Sequence, residues 1–555
     1  MKIHEFDFQE DKTIDIRNSK YGNNWPVVYL IHNDNEMYIG ETTKVSARAS
    51  QHLKNPERRK LRTIKIIGDD RFNKSAVLDI ESNLIKYVSA DGKFILQNHN
   101  FGIQSHDYFN KSDYEQIFFE IWRRLKSKGI VLNNLDEIEN SDLFKFSPYK
   151  SLTDDQFMAV DFILDTLNER YESSTTTLVH GSAGTGKTVL AIYLMKLIES
   201  IRNGEYVFDE ELSEDDVPSL RLKEKIERTE FSMAFVVPMT SLRNTIKKVF
   251  KNVKGLSPNM VIGPNDLALQ KYDLIVVDEA HRLPQRKNIA GFKAFDDVNK
   301  KLDFEKDADS LDWIMKQGRH VILFYDEAQS IRPSDVRKEK FAKLLNRSDL
   351  SIYELRSQMR SLGGSDYIKY IQEIMKGNSP VKTKFKNFDF YIFENIDVMI
   401  REVKKRDNEL GLSRLVAGYG WKWKSKKNPD FFDIEIDDVK LKWNSTNNDW
   451  VNSPNAINEV GCIHTTQGYD LNYVGIIVGE DLKYDKTSGK IIVDKECYFD
   501  RNGFAGITDA NELDNYIKNI YMTLMFRGIR GVYIYICNED LREYFKQFVN
   551  QYSSD

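Results

Sequence analysis

One octapeptide constrains the fold of this chain more than any other part of its sequence. It runs from Gly181 to Thr188 and reads GSAGTGKT, between the apolar pair Leu178-Val179 and a helical pattern from Val189 to Glu199. Glycines let the backbone N–H groups of such a turn point inward around phosphate oxygens, and the N-terminus of the following helix adds partial positive charge. The chain is therefore expected to place this loop between a buried strand and a helix of an α/β domain.

The residues of this loop have distinct chemical roles. Gly181, Gly184 and Gly186 let the backbone approach a phosphate closely. Lys187 can reach the outer phosphates of a nucleotide, and the hydroxyl of Thr188 can ligate Mg²⁺. The alternative is an ordinary glycine-rich turn before a helix, which the Lys-Thr pair disfavours. We therefore predict that the loop binds a nucleotide with Mg²⁺.

Apolar runs separated by segments of helix length recur after Ser151. Such runs are typical of strands that are buried on both faces of a parallel sheet. The predicted strands include Leu178-Val179, Ala234–Val237, Leu274–Val277, Val321–Phe324, Val474–Val478 and Val532–Ile536. One acidic run, from Asp209 to Asp216, interrupts this order, and we interpret it as a solvated insertion.

Two of these strands end in polar residues suited to nucleotide hydrolysis. Asp278 and Glu279 directly follow one strand, and ligands of parallel sheets bind at the carboxyl ends of strands. Asp278 would hold Mg²⁺, partly through water, and Glu279 would polarise the attacking water. Gln329 follows a second strand, where it could sense the γ-phosphate. The alternative for the carboxylates is a surface acidic turn.

A glutamine upstream of the loop is a candidate for base recognition. Gln156 lies at the start of a predicted helix, and its bidentate amide is suited to reading adenine, which favours ATP over GTP. Thr153, three residues earlier, offers a simpler interpretation of the same segment, because threonine commonly caps a helix N-terminus.

With three later motifs, the order of residues resembles superfamily 1 helicases, specifically the RecD-like motors that are shared with the Schlafen helicases. The later motifs are Leu355–Arg360, Gly461–Gly468 and Tyr521–Gly531. The resemblance covers the chain from about Ser151 onward, and six motifs in order are jointly specific. It implies two RecA-like lobes with ATP in the cleft between them.

The resemblance also assigns arginine fingers. Arg360 and Arg527 would bring positive charge from the second lobe to the γ-phosphate. The family usually has threonine where this chain has Phe526, and Arg530 is an alternative to Arg527. Surface salt bridging is the other interpretation of these arginines.

Contacts with nucleic acid are less sharply marked. The segment from Pro238 to Arg243 and the residues His464, Thr465 and Thr466 fit strand-contacting motifs of the helicases. Trp421-Lys422-Trp423-Lys424 alternates aromatic and basic side chains, which could stack on bases and pair with phosphates. It could equally be an amphipathic strand with its tryptophans in the core.

The N-terminal part of the chain contains scattered polar residues in an apolar framework. Val27–Ile31 and Met37–Gly40 read as two strands joined by a polar turn, and Arg48 and His52 lie on one face of the helix that follows. In the next helix, from Lys74 to about Ala90, Glu81 falls on the apolar arc. A carboxylate there is unfavourable unless a cation or hydrogen-bond donors compensate it, which indicates a functional site.

This part resembles the GIY-YIG nucleases. The matching residues are Val27-Val28-Tyr29, Tyr38-Ile39-Gly40, Arg48, His52, Glu81 and Asn98, with Asn100 as an alternative to Asn98. The family's first glycine is absent. The resemblance implies phosphodiester hydrolysis with one divalent cation on Glu81, Mg²⁺ or Mn²⁺. Arg48 would stabilise the transition state. Tyr29, with a depressed pKa or through water, would be the general base.

The remaining residues have supporting roles under the same resemblance. Tyr38 and His52 would position water or phosphate, and Asn98 would support the site. A basic cluster suits a phosphate-binding face or, equally, a solvated helix end, and consists of Arg58, Arg59, Lys60, Arg62 and Lys65. The alternative for the whole domain is nucleic-acid binding without cutting.

These features predict an α/β chain in which a small α+β GIY-YIG-like nuclease domain precedes two RecA-like parallel-sheet lobes. The expected boundaries are 25–110 for the nuclease domain, 111–150 for a helical linker, and 151–345 and 346–555 for the lobes. The polar stretch from Lys128 to Pro148 is expected to be irregular. The net charge of −5 excludes a global basic field, so local patches must hold nucleic acid.

The expected location is the cytoplasm. The three cysteines have no metal-ligand spacing and are interpreted as reduced thiols. The N-terminus has no apolar core of a signal peptide, and no apolar run is long enough to span a membrane.

The leading hypothesis for function is an ATP-dependent nuclease–helicase that acts on nucleic acid, with DNA favoured and RNA left open, in defence against phage or foreign DNA. The second is an NTP-gated nuclease switch that does not unwind processively. The third is a binding protein with two vestigial sites, against which Lys187, Asp278 and Glu279 argue. A DNA-repair nuclease is a further alternative. The sequence does not indicate an oligomeric state.

Overall fold

A computed structural model describes residues 1–98, 108–205, 218–289, 291–330, 332–347, 349–359, 361–447, 449–466, 468–504, 507 and 509–553. The acidic run 209–216, Asn100 and Arg360 lie outside these residues. The chain forms two compact units. The first comprises Met1–Glu169, Thr188–Phe231 and Thr245–Val261, and the second comprises Arg170–Lys187, Ser232–Asn244 and Ile262–Asp555.

The first unit contains a five-stranded sheet in the order β1-β4-β2-β3-β5. Its strands are β1 (Lys2–Asp7), β2 (Val27–His32), β3 (Glu36–Thr42), β4 (Thr63–Gly68) and β5 (Ile95–Leu96). The β2–β3 hairpin is antiparallel and places Tyr29 opposite Gly40. Five of the six residues of β2 are buried, because this strand is central and packs on both faces.

Helices α1 to α6 accompany this sheet. They are α1 (Thr13–Asn18), α2 (Val45–Leu53), α3 (Lys74–Asp91), α4 (Lys111–Ser127), α5 (Leu135–Asn140) and α6 (Asp142–Lys145). The Asn73 side chain accepts a hydrogen bond from the Ala76 N–H and so caps α3, which ends at Gly92 in the left-handed conformation. The predicted helices in this region are confirmed.

The sheet also includes a strand upstream of Trp25, since β1 pairs antiparallel with β4 along its whole length. One expectation for this part of the chain was wrong. The stretch from Lys128 to Pro148 is not irregular, since it contains α5 and α6. Its aromatic residues Phe144 and Phe146 are buried, and this gain in apolar burial outweighs the polar composition.

A six-stranded sheet follows, in the order β11-β6-β10-β9-β7-β8. Its strands are β6 (Thr175–Gly181), β7 (Met233–Val236), β8 (Val261–Ile262), β9 (Tyr272–Val277), β10 (Gly318–Tyr325) and β11 (Leu350–Leu355). The pairings of β6 with β10 and β11, and of β9 with β7 and β10, are parallel. The helices in this stretch are α7 (Asp154–Glu169), α8 (Lys187–Arg202), α9 (Pro218–Ile226), α10 (Thr240–Lys251), α11 (Phe292–Lys301), α12 (Ser310–Gln317) and α13 (Lys338–Leu345).

A second six-stranded sheet has the order β16-β13-β17-β20-β12-β21, and its pairings are parallel. Two antiparallel hairpins, β14–β15 and β18–β19, interrupt it. The strands are β12 (Asp389–Ile392), β13 (Arg414–Ala417), β14 (Ile434–Ile436), β15 (Val439–Leu441), β16 (Val460–Cys462), β17 (Leu471–Val478), β18 (Leu482–Asp485), β19 (Lys490–Val493), β20 (Gly528–Ile536) and β21 (Asn550–Gln551). The helices are α14 (Gly364–Lys376), α15 (Ile396–Leu410), α16 (Ile463–Thr466), α17 (Arg501–Phe504), α18 (Ala510–Met525) and α19 (Glu539–Lys546).

The expected α/β class with two parallel sheets is confirmed, and all six strands predicted from apolar runs lie within or overlap observed strands. Within the described ranges, no helix combines the length and the apolar character that crossing a membrane requires.

Candidate functional site

The glycine-rich loop has the backbone that its sequence predicts. It connects β6 to α8, and Gly184 and Gly186 have φ angles of 85° and 76°. The positive φ angle at Gly184 favours glycine, and a Cβ atom there would lie 2.0 Å from the Oε1 of Gln358, so the end of that side chain would have to move. The loop therefore leaves its backbone N–H groups close to any group that it encloses.

Lys187 is buried and is held by the loop itself. Its Nζ donates to the carbonyl oxygens of Gly181, at 2.6 Å, and Ser182, at 2.9 Å. The same atom lies 3.5 Å from Asp326 Oδ2. Thr188 follows as the second residue of α8. A nucleoside triphosphate with Mg²⁺ needs a cation and backbone N–H donors for its phosphates and a hydroxyl for the metal. Lys187, the loop and Thr188 offer these groups, so they fit that ligand.

Asp278 and Glu279 follow β9, as predicted, and both are buried. Glu279 has a φ angle of 53°, a strained conformation for a residue with a Cβ. Its Oε2 lies 2.8 Å from His281 Nε2. Burial raises the pKa of Glu279, but the charges of His281, Lys187 and Arg527 outweigh that effect and hold the pKa well below its usual range. Glu279 is therefore ionised, as a residue that polarises water must be.

A buried polar chain continues from Lys187. Gln329 Nε2 donates to Asp326 Oδ2 at 2.5 Å, and Arg527 Nη2 donates to Gln329 Oε1 at 3.4 Å. Arg527 is 1% exposed, whereas Arg530 lies on β20 with its side chain exposed. Arg527, rather than Arg530, therefore joins the polar chain. Arg360 belongs to the same set of predicted residues but is outside the described part of the chain.

Gln156 forms a reciprocal cap at the start of α7. The side-chain Oε1 of Gln156 accepts from the Thr153 backbone N–H, and the backbone N–H of Gln156 donates to the Thr153 hydroxyl, both at 3.2 Å. This capping arrangement matches the simpler of the two interpretations of the segment. Recognition of adenine by Gln156 remains a prediction.

An open cavity of about 970 Å³ lies in the second unit. It brings together residues of two segments that the sequence assigned to nucleic-acid contact, Met239 and Thr240 from one and His464 from the other. Arg282 and Arg332 also line it. Burial, with the charge of Arg332, lowers the pKa of His464, so this residue is neutral at neutral pH. The cavity wall thus has two guanidinium groups, a neutral imidazole and the carboxylates of Asp335 and Asp500, of which Asp335 pairs with Arg282 at 2.7 Å.

The tryptophans of the Trp-Lys run pack on the core and also line the cavity, so base stacking by this run remains a prediction. Trp421 and Trp423 are half-buried and pack against the core that contains Trp443, and both also line the cavity. Lys426 lies over the Trp423 ring, 5.5 Å from its centroid, and lines the same cavity.

Two threonines of the fifth motif form hydrogen bonds within the chain. The hydroxyls of Thr465 and Thr466 donate to the Cys462 carbonyl oxygen at 3.0 and 3.1 Å, and both residues are buried. Arg243 likewise donates to the Val237 carbonyl oxygen at 2.8 Å. These three side chains are therefore engaged by backbone carbonyl groups, and their predicted contacts with nucleic acid remain predictions.

In the first unit, the structure brings together Tyr29, Tyr38 and His52. The Tyr29 hydroxyl lies 2.8 Å from His52 Nε2, and the rings of Tyr38 and His52 are 4.8 Å apart. A Cβ on Gly40 would lie 2.4 Å from the Tyr29 hydroxyl, so the absence of a side chain at Gly40 leaves the space that the Tyr29 ring occupies. Arg58 joins this group, 2.7 Å from His52 Nδ1.

The pKa of Tyr29 is not depressed, contrary to one of the two routes predicted for it. Burial raises the pKa of Tyr29 well above its usual value, and the charges of Arg48 and Arg58 oppose this without reversing it. Burial also lowers the pKa of His52 to about 3, together with the charges of Arg58 and Arg48. At neutral pH the pair is therefore a neutral phenol and a neutral imidazole.

Glu81 is buried on α3, as predicted. Burial and the charge of Glu41 raise the pKa of Glu81 to about 8, although Lys74 and a backbone N–H of Glu41 lower it. The nearby basic side chains are engaged elsewhere, because Lys74 pairs with Glu41 and Arg48 donates to Gln51. A divalent cation would supply the missing positive charge, so the carboxylate fits the predicted ligand role.

Asn98 and Arg48 occupy contrasting positions. Asn98 is buried, and its side-chain amide accepts from the Ile39 N–H at 3.0 Å and donates to the Ile39 carbonyl oxygen at 2.7 Å. It thereby fixes the strand that carries Tyr38. Arg48 is exposed and lies one helical turn before the buried His52 on α2. Across the described residues, no group of three or more His, Cys, Asp or Glu side chains could hold a metal ion.

Three residues with roles in these sites were missed from the sequence. Asp326 connects Lys187 to Gln329, and Arg332 lines the cavity. Arg58 was noted only as part of a basic cluster. The carboxyl end of β10 was a signal for Asp326, whereas nothing in the local sequence connects Arg58 to His52.

The geometry agrees with a comparison to known families. A family model described as the Schlafen group 3 DNA/RNA helicase domain matches residues 174–538. The chain belongs to this family. The predicted Schlafen-type motor is thus confirmed, and a helicase motor acts on nucleic acid and implies ATP, generally with Mg²⁺. The two parallel sheets are the RecA-like lobes of this motor.

Individual relatives of the Schlafen-type chain are distant. The uncharacterized protein YPL245W of Saccharomyces cerevisiae is 26% identical over 399 residues, which cover 66% of this chain and 82% of the yeast protein. The Arterivirus nonstructural protein 10 helicase is 14% identical with a TM-score of 0.29, over 69% of this chain and 63% of the viral chain.

A Bacteroides Pif1 helicase, solved with ADP-AlF3 and ssDNA, is 13% identical with a TM-score of 0.26, over 69% of this chain and 92% of Pif1. The chain thus spans less than two thirds of the viral helicase. Both TM-scores are too low to support an argument from the details of those structures.

Proposed function

We propose that the chain couples ATP hydrolysis to movement on nucleic acid and cuts nucleic acid with its N-terminal domain. The buried chain Lys187–Asp326–Gln329–Arg527 carries the first half of this proposal. It runs from the phosphate loop, beside the first parallel sheet, to the residue before β20 in the second. A change in charge at the phosphate loop would thus act on Arg527, a residue of the second lobe, through these hydrogen bonds and the ion pair.

The proposed roles in hydrolysis follow from burial and charge. Lys187 and the loop N–H groups bind the phosphates. Asp278 would hold Mg²⁺, with Thr188 as the second ligand that the sequence predicts, and the bound ion would neutralise phosphate charge. Ionised Glu279 accepts a proton from the attacking water. Arg527 stabilises the developing charge on the γ-phosphate, and Gln329 fixes its guanidinium.

We place the nucleic acid in the 970 Å³ cavity. Trp423 offers a ring for base stacking, and Arg332 and Lys426 offer positive charge for phosphates. These features suit a single strand, because a duplex does not present its bases for stacking on protein rings. We take DNA as the first substrate to test and RNA as the alternative.

We propose a phosphodiesterase site of the GIY-YIG type in the first unit, within residues 25–110. The grouping of Tyr29, Tyr38 and His52, with Glu81 buried on the neighbouring helix, supports it. Glu81 would hold one Mg²⁺ or Mn²⁺, which polarises the scissile phosphate when it is bound. Because Tyr29 is a neutral phenol, we favour its action through an ordered water.

One observation favours gating of the nuclease by the motor as a second candidate function. The helix that carries Glu81 is packed against the segment that leads to the motor. Tyr87 of α3 contacts Phe118 and donates to Glu139 at 2.5 Å, and Asp91 accepts the backbone N–H groups of Leu132 and Asn133. A movement of this segment would therefore reach α3.

Strand separation distinguishes the two candidates. The chain is incubated with ATP, Mg²⁺ and a forked duplex, and both ATP hydrolysis and strand release are measured. A motor that moves along a strand shows both activities, and Lys187→Ala abolishes them. A gate shows ATP hydrolysis that nucleic acid stimulates, without strand release. Absence of any hydrolysis that depends on Lys187 contradicts both.

A role in defence against phage or foreign DNA is proposed from the union of a motor with a nuclease. Expression in a bacterial host should lower the number of phage plaques. Both Lys187→Ala and Glu81→Ala should restore plaque formation. Protection that persists in both variants contradicts this role.

A further inference from the structure

Arg58 and His52 define the direction of a hydrogen-bond chain in the N-terminal domain. Arg58 Nη1 lies 2.7 Å from His52 Nδ1. A guanidinium group can only donate, so His52 Nδ1 must accept and cannot hold a proton. The proton of the imidazole therefore has one remaining position, Nε2.

The other side of the ring meets the candidate base. His52 is 1% exposed and its pKa is lowered to about 3, so the ring is neutral and carries one proton. The Tyr29 hydroxyl oxygen lies 2.8 Å from Nε2. With its proton on Nε2, His52 donates to the Tyr29 oxygen, and the Tyr29 O–H is free to point elsewhere.

We propose that Arg58 is a positioning residue that sets the tautomer of His52, so that His52 donates a hydrogen bond to Tyr29 and does not take its proton. The role of this hydrogen bond in catalysis rests on the proposed nuclease function, whereas the tautomer follows from the contacts alone. When Tyr29 gives up its proton, the O–H electron pair stays on the phenol oxygen and the proton passes to a water. The His52 N–H then stabilises the phenolate.

The surroundings hold Arg58 in this role. Its guanidinium carbon lies 3.9 Å from the centroid of the Tyr38 ring, a close cation–π contact. Its backbone N–H donates to Asn55 Oδ1 at 3.2 Å, and the same oxygen accepts from the Glu57 N–H at 2.9 Å. The short turn after α2 thus directs Arg58 back over Tyr38 and onto His52.

Arg59 provides a matched control. It is the next residue of the same turn, its side chain is exposed, and its N–H donates to the Asn55 carbonyl oxygen at 2.9 Å. Replacing Arg59 removes an equal charge from the same turn and leaves the contact to His52 in place.

The direct test is nitrogen NMR of the full chain labelled with ¹⁵N-imidazole histidine, without divalent cations, at pH 7.5. The His52 signals are identified by their loss in His52→Gln. We expect an unprotonated Nδ1 and a protonated Nε2 in the wild type and in Arg59→Met. Arg58→Met should give averaged signals from both tautomers. A protonated Nδ1 in the wild type, or unchanged signals in Arg58→Met, overturns the proposal.

A second test asks what His52 does during cleavage. Glutamine can still donate from its amide nitrogen but cannot act as a base, so His52→Gln should stay within about tenfold of wild-type kcat. His52→Ala should lose at least about a hundredfold. Equal losses in both variants overturn the donor role. If the wild type shows no cutting that depends on Glu81, the proposed nuclease function fails, and the NMR result alone decides the tautomer.

Discussion

The guanidinium of Arg527 donates to the side-chain oxygen of Gln329 at 3.4 Å, across 198 residues of sequence. Gln329 in turn donates to Asp326, whose carboxylate is 3.5 Å from Lys187. The two lobes of the motor are therefore linked by side chains that belong to its predicted nucleotide site. Hydrolysis should depend on this link more than on other nearby positive charges.

Removing Arg527 should lower kcat for ATP hydrolysis by roughly 10²–10³-fold, because the charge that stabilises the γ-phosphate is lost. Arg530→Ala is the matched control, since Arg530 is exposed three residues away, and it should stay within about twofold. Steady-state ATPase rates with saturating single-stranded DNA provide the measurement. A larger loss in Arg530→Ala than in Arg527→Ala contradicts the assignment.

Gly184→Ala should weaken the binding of a non-hydrolysable ATP analogue by at least about tenfold, because a Cβ at this positive φ angle is strained and must displace the end of the Gln358 side chain beside the loop. Gly129→Ala separates the two effects. Gly129 also has a positive φ angle, 68°, but its Cβ would meet no atom within 4 Å. It should lose roughly 1 kcal/mol of stability with normal nucleotide binding. Similar affinities in both variants would argue against a close approach at Gly184.

Glu81→Gln should stabilise the cation-free protein at alkaline pH. The folded pKa of about 8 lies above the unfolded value of 4.5, so folding retains a proton that the unfolded chain releases. The resulting destabilisation is absent below the unfolded pKa, grows as pH rises, and is complete above pH 8. We expect a gain of at most roughly 4–5 kcal/mol at pH 8.5, and a gain of about 1–2 kcal/mol at pH 5.5.

Thermal or urea unfolding at the two pH values measures this difference. Glu57→Gln is the control, because Glu57 is exposed and its pKa is lowered by hydrogen bonding to Lys60. It should leave the pH dependence above pH 5.5 unchanged. A stabilisation by Glu81→Gln that is equal at both pH values would show that Glu81 is not held neutral by its surroundings.

Trp423→Ala should weaken the binding of single-stranded DNA by about tenfold, since base stacking contributes roughly 1–3 kcal/mol. Trp423→Phe should retain most of the affinity. Fluorescence anisotropy with a labelled oligonucleotide gives both values. If Trp423→Ala lowers only the melting temperature, the ring belongs to the core alone, and the nucleic acid lies elsewhere.

The nucleotide site could be predicted from the sequence because its residues directly follow long buried strands. Runs such as Val474–Val478 are apolar on both faces, and the polar residue after a run marks its carboxyl end. The strands β12 and β13 were missed. They have four residues each, too few to show a period, and only neighbouring strands decide their conformation.

The N-terminal site shows the limit of the same reasoning. Glu81 could be identified because its place on an apolar helical face is unfavourable without a compensating charge. The pKa of Tyr29 could not be predicted, since it depends on how completely Tyr29 is buried by residues from several elements. Arg58 depends on the course of a short turn, which local sequence does not specify.

The central claim is that one chain contains a nuclease and a motor that act together. The decisive measurement is cleavage of single- and double-stranded DNA with Mg²⁺ or Mn²⁺, with and without ATP. The wild type is compared with Glu81→Ala and Lys187→Ala. We predict that Glu81→Ala abolishes cutting and that Lys187→Ala removes the effect of ATP on its rate. Cutting that is unaffected by Glu81→Ala, or that responds to ATP equally in Lys187→Ala and the wild type, contradicts the account.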